Sequence, residues 1–478
     1  MNEIPKTKSG WRILRRILIG CAVLATLTAI FYTEENWRGK RAWESCKREL
    51  EAKGTVLDWS AYIPPPVPDD QNFFKATTNI TPWFVKSQTD AESELARKLN
   101  FFNGLPYNTN TTVTITNEAV ARDYLAWSDQ FQPQFDELRE ALKRPYARME
   151  GDYTQPFDGP RIPNFVTMRS VAQTLAQRGK CYLILGEPEK TLRDLTLLHD
   201  LSHILTERPN TLVATMIDSA VTGLYLGVIA DGMQRHAWRE PELAVIQGQL
   251  RQIDLQPLLV KSTRWEMASV CHGFEIYDAA KFVKSWFPGK PSLWKKLHEP
   301  LYLLLKFAPR GWVYQSMIDY CSFGQRAIDF NGGTGRSFFI PSEIHSFGLD
   351  VEKSCSRFSP FKFLSAISIP AYQKATQALA YNQTLANEAQ IACALERYHL
   401  AHGEYPETLD ALAPQFIEKI PHDIIGGEPL HYRRTADGKF LLYSFGWNEK
   451  DDGGVVGKDK SGNEDRTQGD WVWQYPVK

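Results

Sequence analysis

Residues 371–402, between Pro370 and Gly403, read AYQKATQALAYNQTLANEAQIACALERYHLAH, with neither glycine nor proline inside. Alanine, leucine and glutamine favour helix, and Ala, Leu, Ile and Tyr recur on one side. The spacing predicts one long helix, about 48 Å at 1.5 Å per residue. The chain then changes character. Gly403-Glu404-Tyr405-Pro406 is followed by a short helix over Thr408–Leu412, and Pro414 leads on to Ile420-Pro421. Leu430–Arg433 and Lys439–Phe445 flank the turn Ala436-Asp437-Gly438, and Trp471–Tyr475 closes the sequence as a last strand. The C-terminal region, residues 370–478, therefore reads as a small α+β module.

Within that module the landmarks form an ordered set. They are the long helix, Tyr398, Gly403-x-Tyr405-Pro406, Leu409, Leu412, Ile420-Pro421, Asp423, Tyr432, Tyr443-Ser444-x-Gly446 and Asp451-Asp452-Gly453-Gly454. Together they resemble the C-terminal domain of the major pseudopilin of type II secretion systems, over roughly residues 375–478. The resemblance implies a pilin-like head. It also implies calcium in the loop before the last strand, held by Asp451 or Asp452 and by Asp470. Carboxylates with backbone carbonyls suit such a hard cation. The acidic run Asp451, Asp452, Asp459, Glu464, Asp465 and Asp470 is interleaved with lysines and does not fit the EF-hand pattern. One departure is large. A pseudopilin head follows directly on its hydrophobic helix and a prepilin peptidase site, whereas here the apolar segment lies over 300 residues upstream and no such site precedes it.

That apolar segment is Ile17–Tyr32, ILIGCAVLATLTAIFY, with no charge. With Ile13 and Leu14, and with Arg15 and Arg16 reaching to headgroups, it approaches the ~20 residues a bilayer core requires. Trp11, Tyr32 and Trp37 stand at its ends, where amphipathic rings prefer the interface. No small-x-small site closes the run, so an uncleaved signal anchor is expected rather than a removed leader. Basic residues stand on both sides of it, and the short N-terminal tail favours an N-in orientation. The expectation is an inner-membrane protein with a tail (1–12), an anchor (13–33) and a periplasmic body. Overall charge adds nothing to this: 55 Lys+Arg balance 56 Asp+Glu, so no global field favours nucleic acid as a partner.

Residues 34–117 read as a charged juxtamembrane helix (Trp37–Gly54), a proline-rich spacer (Ile63–Asp70) and loop with a β-prone stretch at Thr112–Thr116. Residues 118–360 read as an α-helical domain. Helical periodicity marks Ala119–Leu142, Asn164–Leu185, Pro188–Thr206, Ala214–Met233 and Glu240–Leu250, with Gly186-Glu187-Pro188 as a tight inter-helix turn. The apolar core of Ala214–Met233 is too short to span a bilayer and reads as a buried helix. Aromatic stretches at Trp286–Gly289, Leu301–Phe307 and Gly311-Trp312 read as core, with a surface resting on the membrane as the alternative. The fold class expected is mainly α, with an N-terminal transmembrane helix, a hairpin or bundle body, and the α+β head.

Chemistry is sparse. His199 and His203 stand one helical turn apart, a usable metal spacing, but without the glutamate of HExxH or a third ligand. His399 and His402 suit a helix C-terminus, and Glu266, His272 and Glu275 share a helical stretch. No GxSxG, GxGxxG or P-loop occurs. Of seven cysteines, Cys21 lies in the apolar run; the other six allow fifteen pairings, and spacing selects none. The reading is a non-catalytic scaffold or binding protein of an envelope or secretion-associated assembly, with envelope proteins as partners. Two alternatives stay open: an envelope metalloenzyme using His199 and His203, and a pilus or pseudopilus subunit.

Overall fold

The computed structural model of the chain describes residues 8–76, 118–155, 165–206, 211–276, 306–333, 335–356 and 363–473. The chain is mostly helical with a small antiparallel sheet near its C-terminus, as the periodicity predicts. Two compact units form, each from three separate stretches of chain. The expected β-prone stretch Thr112–Thr116 and the aromatic residues 286–289 and 301–305 lie outside the described residues.

The first unit comprises Met1–Leu57, Val270–Gln325 and Val351–Ser368. Its leading element, α1 (Lys8–Ala52), is one unbroken helix of 45 residues. Sequence reading separates an anchor from a juxtamembrane helix at Thr33-Glu34-Glu35. No helix breaker stands there, so the helix continues. The apolar part of α1 is uncovered, with Leu18, Leu24, Leu27 and Ile30 each about 60% exposed, whereas Trp43 and Leu50 further along are buried. Between those regions α1 meets residues 307–312. Tyr32 donates to the Phe307 carbonyl, Phe31 meets the Trp312 ring edge-on, and Asn36 Oδ1 accepts the Gly311 N–H at 2.9 Å. Gly311 is required by this approach, because a Cβ there would fall 2.0 Å from the Glu35 carbonyl oxygen.

The second unit comprises Asp58–Ser269, Arg326–Asp350 and Ile369–Lys478. The proline-rich segment belongs to it, with Pro64 buried and Trp59, Phe73 and Phe74 buried on either side. Helices follow as α2 (Glu118–Ser128), α3 (Gln132–Ala141), α4 (Phe165–Ile184), α5 (Pro188–Thr206), α6 (Leu212–Gln234) and α7 (Glu240–Leu250). The hairpin between α4 and α5 turns where the glycine and proline place it, Gly186 taking φ +73°. Next along the chain, each divided between the two units, come α8 (Gln256–Ile276), α9 (Arg310–Ile328), α10 (Pro341–Ser356) and the long α11 (Phe363–His402), with most of α9 in the first unit.

After α11 the chain forms β1 (His431–Arg434), β2 (Phe440–Ser444), β3 (Val456–Lys458), β4 (Glu464–Gly469) and β5 (Trp471–Val472). One sheet has the order β1-β2-β5, antiparallel, with Tyr432 opposite Leu442 and Ser444 opposite Trp471. The β3–β4 hairpin lies where the sequence reads as acidic loop. Its turn is built locally: Asp459 Oδ1 accepts the N–H groups of Ser461 and Asn463.

The C-terminal module does not stand apart from the helices. Leu379, Ala380, Ala386, Ala389, Ile391, Ala392, Cys393, Ala394 and Leu395 of α11 are all wholly buried. A single apolar cluster joins this helix to Phe131 and Phe135, to Leu195 and Leu198, to Val228, and to Phe440, Leu442 and Trp473 of the sheet region. Sequence reading places one apolar side on α11. Its other sides are buried as well, because the polar residues there find partners. Asn382 donates to Ser219, Gln383 accepts the Leu255 N–H and donates to the Ile253 carbonyl, and Gln390 donates to the Leu250 carbonyl.

Arg178 of α4 is wholly buried and ties four segments together. It donates to Asp194 at 3.0 Å, Ser128 at 2.7 Å, Asp129 at 2.8 Å, Gln132 at 3.1 Å and the Tyr182 hydroxyl at 2.9 Å. All five guanidinium N–H donors are thereby used. Replacing the cation takes one of two close guanidinium partners from the buried Asp194 carboxylate, leaving Arg139 at 2.8 Å, and removes the donor shared by Ser128, Asp129, Gln132 and Tyr182. Arg178→Met is therefore expected to destabilise this unit by about 3–5 kcal/mol in equilibrium urea unfolding, whereas an exposed-pair control, Lys143→Met, costs under about 1 kcal/mol.

Candidate functional site

Among the described residues of the second unit, three clusters gather acidic or histidine side chains. The first is the turn between β2 and β3. Asp451 Oδ1 accepts from the Tyr443 hydroxyl at 3.1 Å and the Gly453 N–H at 2.9 Å. Asp452 Oδ2 accepts from Asn448 at 2.8 Å. Asp470, just before β5, is almost wholly buried; its two oxygens accept the N–H groups of Asp452 at 3.2 Å and Gly454 at 2.6 Å. Burial raises the Asp470 carboxyl above its ordinary value; the two N–H donors oppose the rise, and the nearby Asp452 and Asp451 add to it. The fold thus brings together the three acids singled out in the sequence. The main partners of Asp470 are backbone donors of the turn it holds. Among the described residues, no group of three or more His, Cys, Asp or Glu side chains is arranged to hold a metal ion.

The second cluster surrounds His199. The imidazole is buried, with Nδ1 3.0 Å from Asp200 Oδ1 and its ring 5.6 Å from that of Tyr225. The Tyr225 hydroxyl donates to Gln249 at 2.9 Å, and Gln249 donates to Thr196 at 2.9 Å. These contacts stitch α5, α6 and α7 together. His203 follows one turn later on α5, but its side chain lies outside the described residues. Asp218 of α6 is buried nearby in sequence terms; burial drives its carboxyl up to about 8, with only the Ser202 hydroxyl pulling it back.

The third cluster is a pair of acids that sequence reading assigns no role as a pair. Glu388 of α11 is wholly buried and Asp423 nearly so. Burial holds the Glu388 carboxyl well above the ordinary range, and the neighbouring Asp423 pushes it further. Asp423 is raised to about 6 by burial, moderated by the Ser444 hydroxyl and by the Ile425 and Phe445 N–H groups. Burial disfavours the charged form of both carboxyls, and at Glu388 the charge of Asp423 adds to it. No spacing rule finds such a pair, because 35 residues of chain and a sheet connection separate its members.

The remaining titratable motifs are local. His399 stacks on Tyr405 at 4.6 Å, and His402 stacks on Tyr398 at 4.1 Å while its Nδ1 sits 3.0 Å from the Tyr398 carbonyl. His272 lies 3.9 Å from Glu275 in the first unit, while Glu266 accepts the Leu212 N–H in the second. No protein-family model, curated protein or solved structure matches this chain.

Asp218 gives a signed pH test. A carboxyl whose folded-state value is raised favours the folded state when protonated. Its contribution is therefore complete below the ordinary Asp range and is lost as pH rises toward about 8. Asp218→Asn is expected to raise the unfolding free energy from urea titration near pH 8 by an amount on the order of a few kcal/mol, with the gain vanishing toward about pH 4. A gain of equal size at both pH values would show that titration of Asp218 is not its source.

Proposed function

We propose that this protein is a single-pass, membrane-anchored scaffold or binding protein of the cell envelope, with its body on the extracytoplasmic side of the inner membrane. One observation carries the reading: α1 from Ile13 to Ile30 is exposed throughout, yet the same helix continues unbroken into a packed unit. Leaving Ile13 to Phe31 in water would expose an apolar surface far larger than a monomer normally tolerates. A bilayer removes that cost. The second helix of comparable hydropathy, α6, has 56% of its apolar window buried inside the body and so has no need of lipid.

The non-catalytic part of the proposal is supported by what the polar clusters do. Arg178 and Gln249 spend their hydrogen bonds on neighbouring helices, Asp470 spends its own on the turn it holds, and His199 Nδ1 faces Asp200 of its own helix. The pilin-like character of the C-terminal region stays within this proposal, resting on the landmarks in sequence order. Assembly with other envelope proteins follows from it as an expectation.

Protease added to spheroplasts tests the topology. The body is expected to be digested while the N-terminal tail stays protected; a body resistant until the membrane is lysed would overturn the reading. Calcium at Asp451, Asp452 and Asp470 belongs to the same proposal. Convergence of the three acids supports it, although the cation must share the Asp470 oxygens with two N–H donors. After chelation, millimolar calcium is expected to raise the Tm of the full chain in detergent, and Asp470→Asn to abolish the rise. An unchanged Tm would exclude the cation.

A further inference from the structure

The first unit contains a cluster of thiols that the sequence does not predict. Cys271, near the end of α8, places its Sγ 3.3 Å from that of Cys321 on α9. Both are buried, at 2% and 0% exposure. Cys46 of α1 is partly exposed, bonds to the Ser322 side chain, and lies within electrostatic reach of both Cys271 and Cys321. Three helices distant in sequence thus each contribute one sulfur to one place. The other buried cysteines have different surroundings: Cys181 packs among Ala121, Tyr124 and Leu125, and Cys393 lies in the apolar cluster of α11.

We infer that Cys271 and Cys321 form a disulfide when the protein meets an oxidising thiol–disulfide couple, with Cys46 as the thiol through which exchange enters. The sulfurs need close by only about 1.3 Å from 3.3 Å to reach bonding distance. The Cys46 thiolate attacks an external disulfide and expels one external thiolate, leaving a mixed disulfide on Cys46. Cys271 attacks the Cys46 sulfur and expels the second external thiolate. Cys321 then attacks the Cys271 sulfur and releases Cys46 as a thiolate. Two protein thiols are oxidised, one external disulfide is reduced to two thiols, the protons of Cys271 and Cys321 pass to the two external thiolates, and Cys46 is regenerated as the thiolate that began the exchange.

Burial sets the character of the bond. It raises the Cys46 thiol, and at Cys321 the contact with Cys271 and burial act in the same direction. Thiolate is therefore scarce, so closure is slow and the finished disulfide resists reduction. The bond closes a loop of roughly 50 residues and removes freedom from the unfolded chain. It fixes the end of α8 to α9, the helix that also receives α1 at Gly311. The inference rests on the geometry of this unit and not on the topology proposed above; compartment decides only whether the bond is closed at rest.

The test uses the full chain in detergent, reduced and then incubated with oxidised glutathione, alkylated, and mapped by peptide mass spectrometry. The expected product is the Cys271–Cys321 linkage, with a Tm several degrees above that of the reduced protein. In Cys46→Ser the same linkage is expected to form about tenfold or more slowly. In Cys321→Ala the linkage is expected to move to Cys46–Cys271. Wild-type protein in which Cys271 and Cys321 both remain alkylatable after prolonged oxidation would overturn the inference. An unchanged rate in Cys46→Ser would overturn the entry role of Cys46. The same mapping on protein taken directly from the envelope separates the questions, because a bond absent there yet formed in vitro contradicts the topology and not the site.

Discussion

The burial of α11 on all its sides is the constraint on which the second unit depends. A helix facing a sheet alone can leave its far side in water. Here that far side presses on α6 and α7, and its polar residues must be satisfied within protein. Asn382, Gln383 and Gln390 do this with backbone groups at Ser219, Ile253, Leu255 and Leu250. Each such bond has a modest net value, but leaving one unmade inside a core costs the full desolvation of the group. The helix is thereby held in one register against its neighbours. Apolar contact supplies the bulk of the energy, and these amides supply the specificity.

The same logic explains why polar side chains are buried elsewhere in this unit. Arg178 is buried because Asp194, Asp129, Ser128, Gln132 and Tyr182 are all in reach. Glu388 and Asp423 are both buried in the same unit, and burial raises each carboxyl above its ordinary value. The first unit has its own logic. One helix is uncovered along its apolar part and packed beyond it, with glycine at the point of nearest approach. On the topology proposed above, a bilayer makes both regions of α1 favourable at once.

Much of the architecture was legible from periodicity. The turn at Gly186-Glu187-Pro188, the helix Glu240–Leu250 and the strands around Ala436-Asp437-Gly438 fall where their residues place them. The long helix was legible too, but its surroundings were not. Asn, Gln and Glu count as surface in any binary pattern, so partners on distant elements cannot be anticipated from Asn382 or Glu388 themselves. The β3–β4 hairpin was hidden for a similar reason, since its strands carry charge and glycine in place of β-branched residues. Of the candidate site, the grouping of Asp451, Asp452 and Asp470 was legible through the resemblance, whereas their engagement by backbone N–H groups was not. The thiol cluster was invisible, because spacing says nothing about three sulfurs on three helices.

The central claim is that α11 is the shared spine of one cooperative unit and not the stem of an independent head. Native-state hydrogen exchange on the full chain tests it most directly. The amides of residues 379–395, of β2 and of the middle of α6 are predicted to share the highest protection and to lose it together as denaturant is added. Exchange of β1, β2 and β5 through an opening of much lower free energy than that of α6 would contradict it.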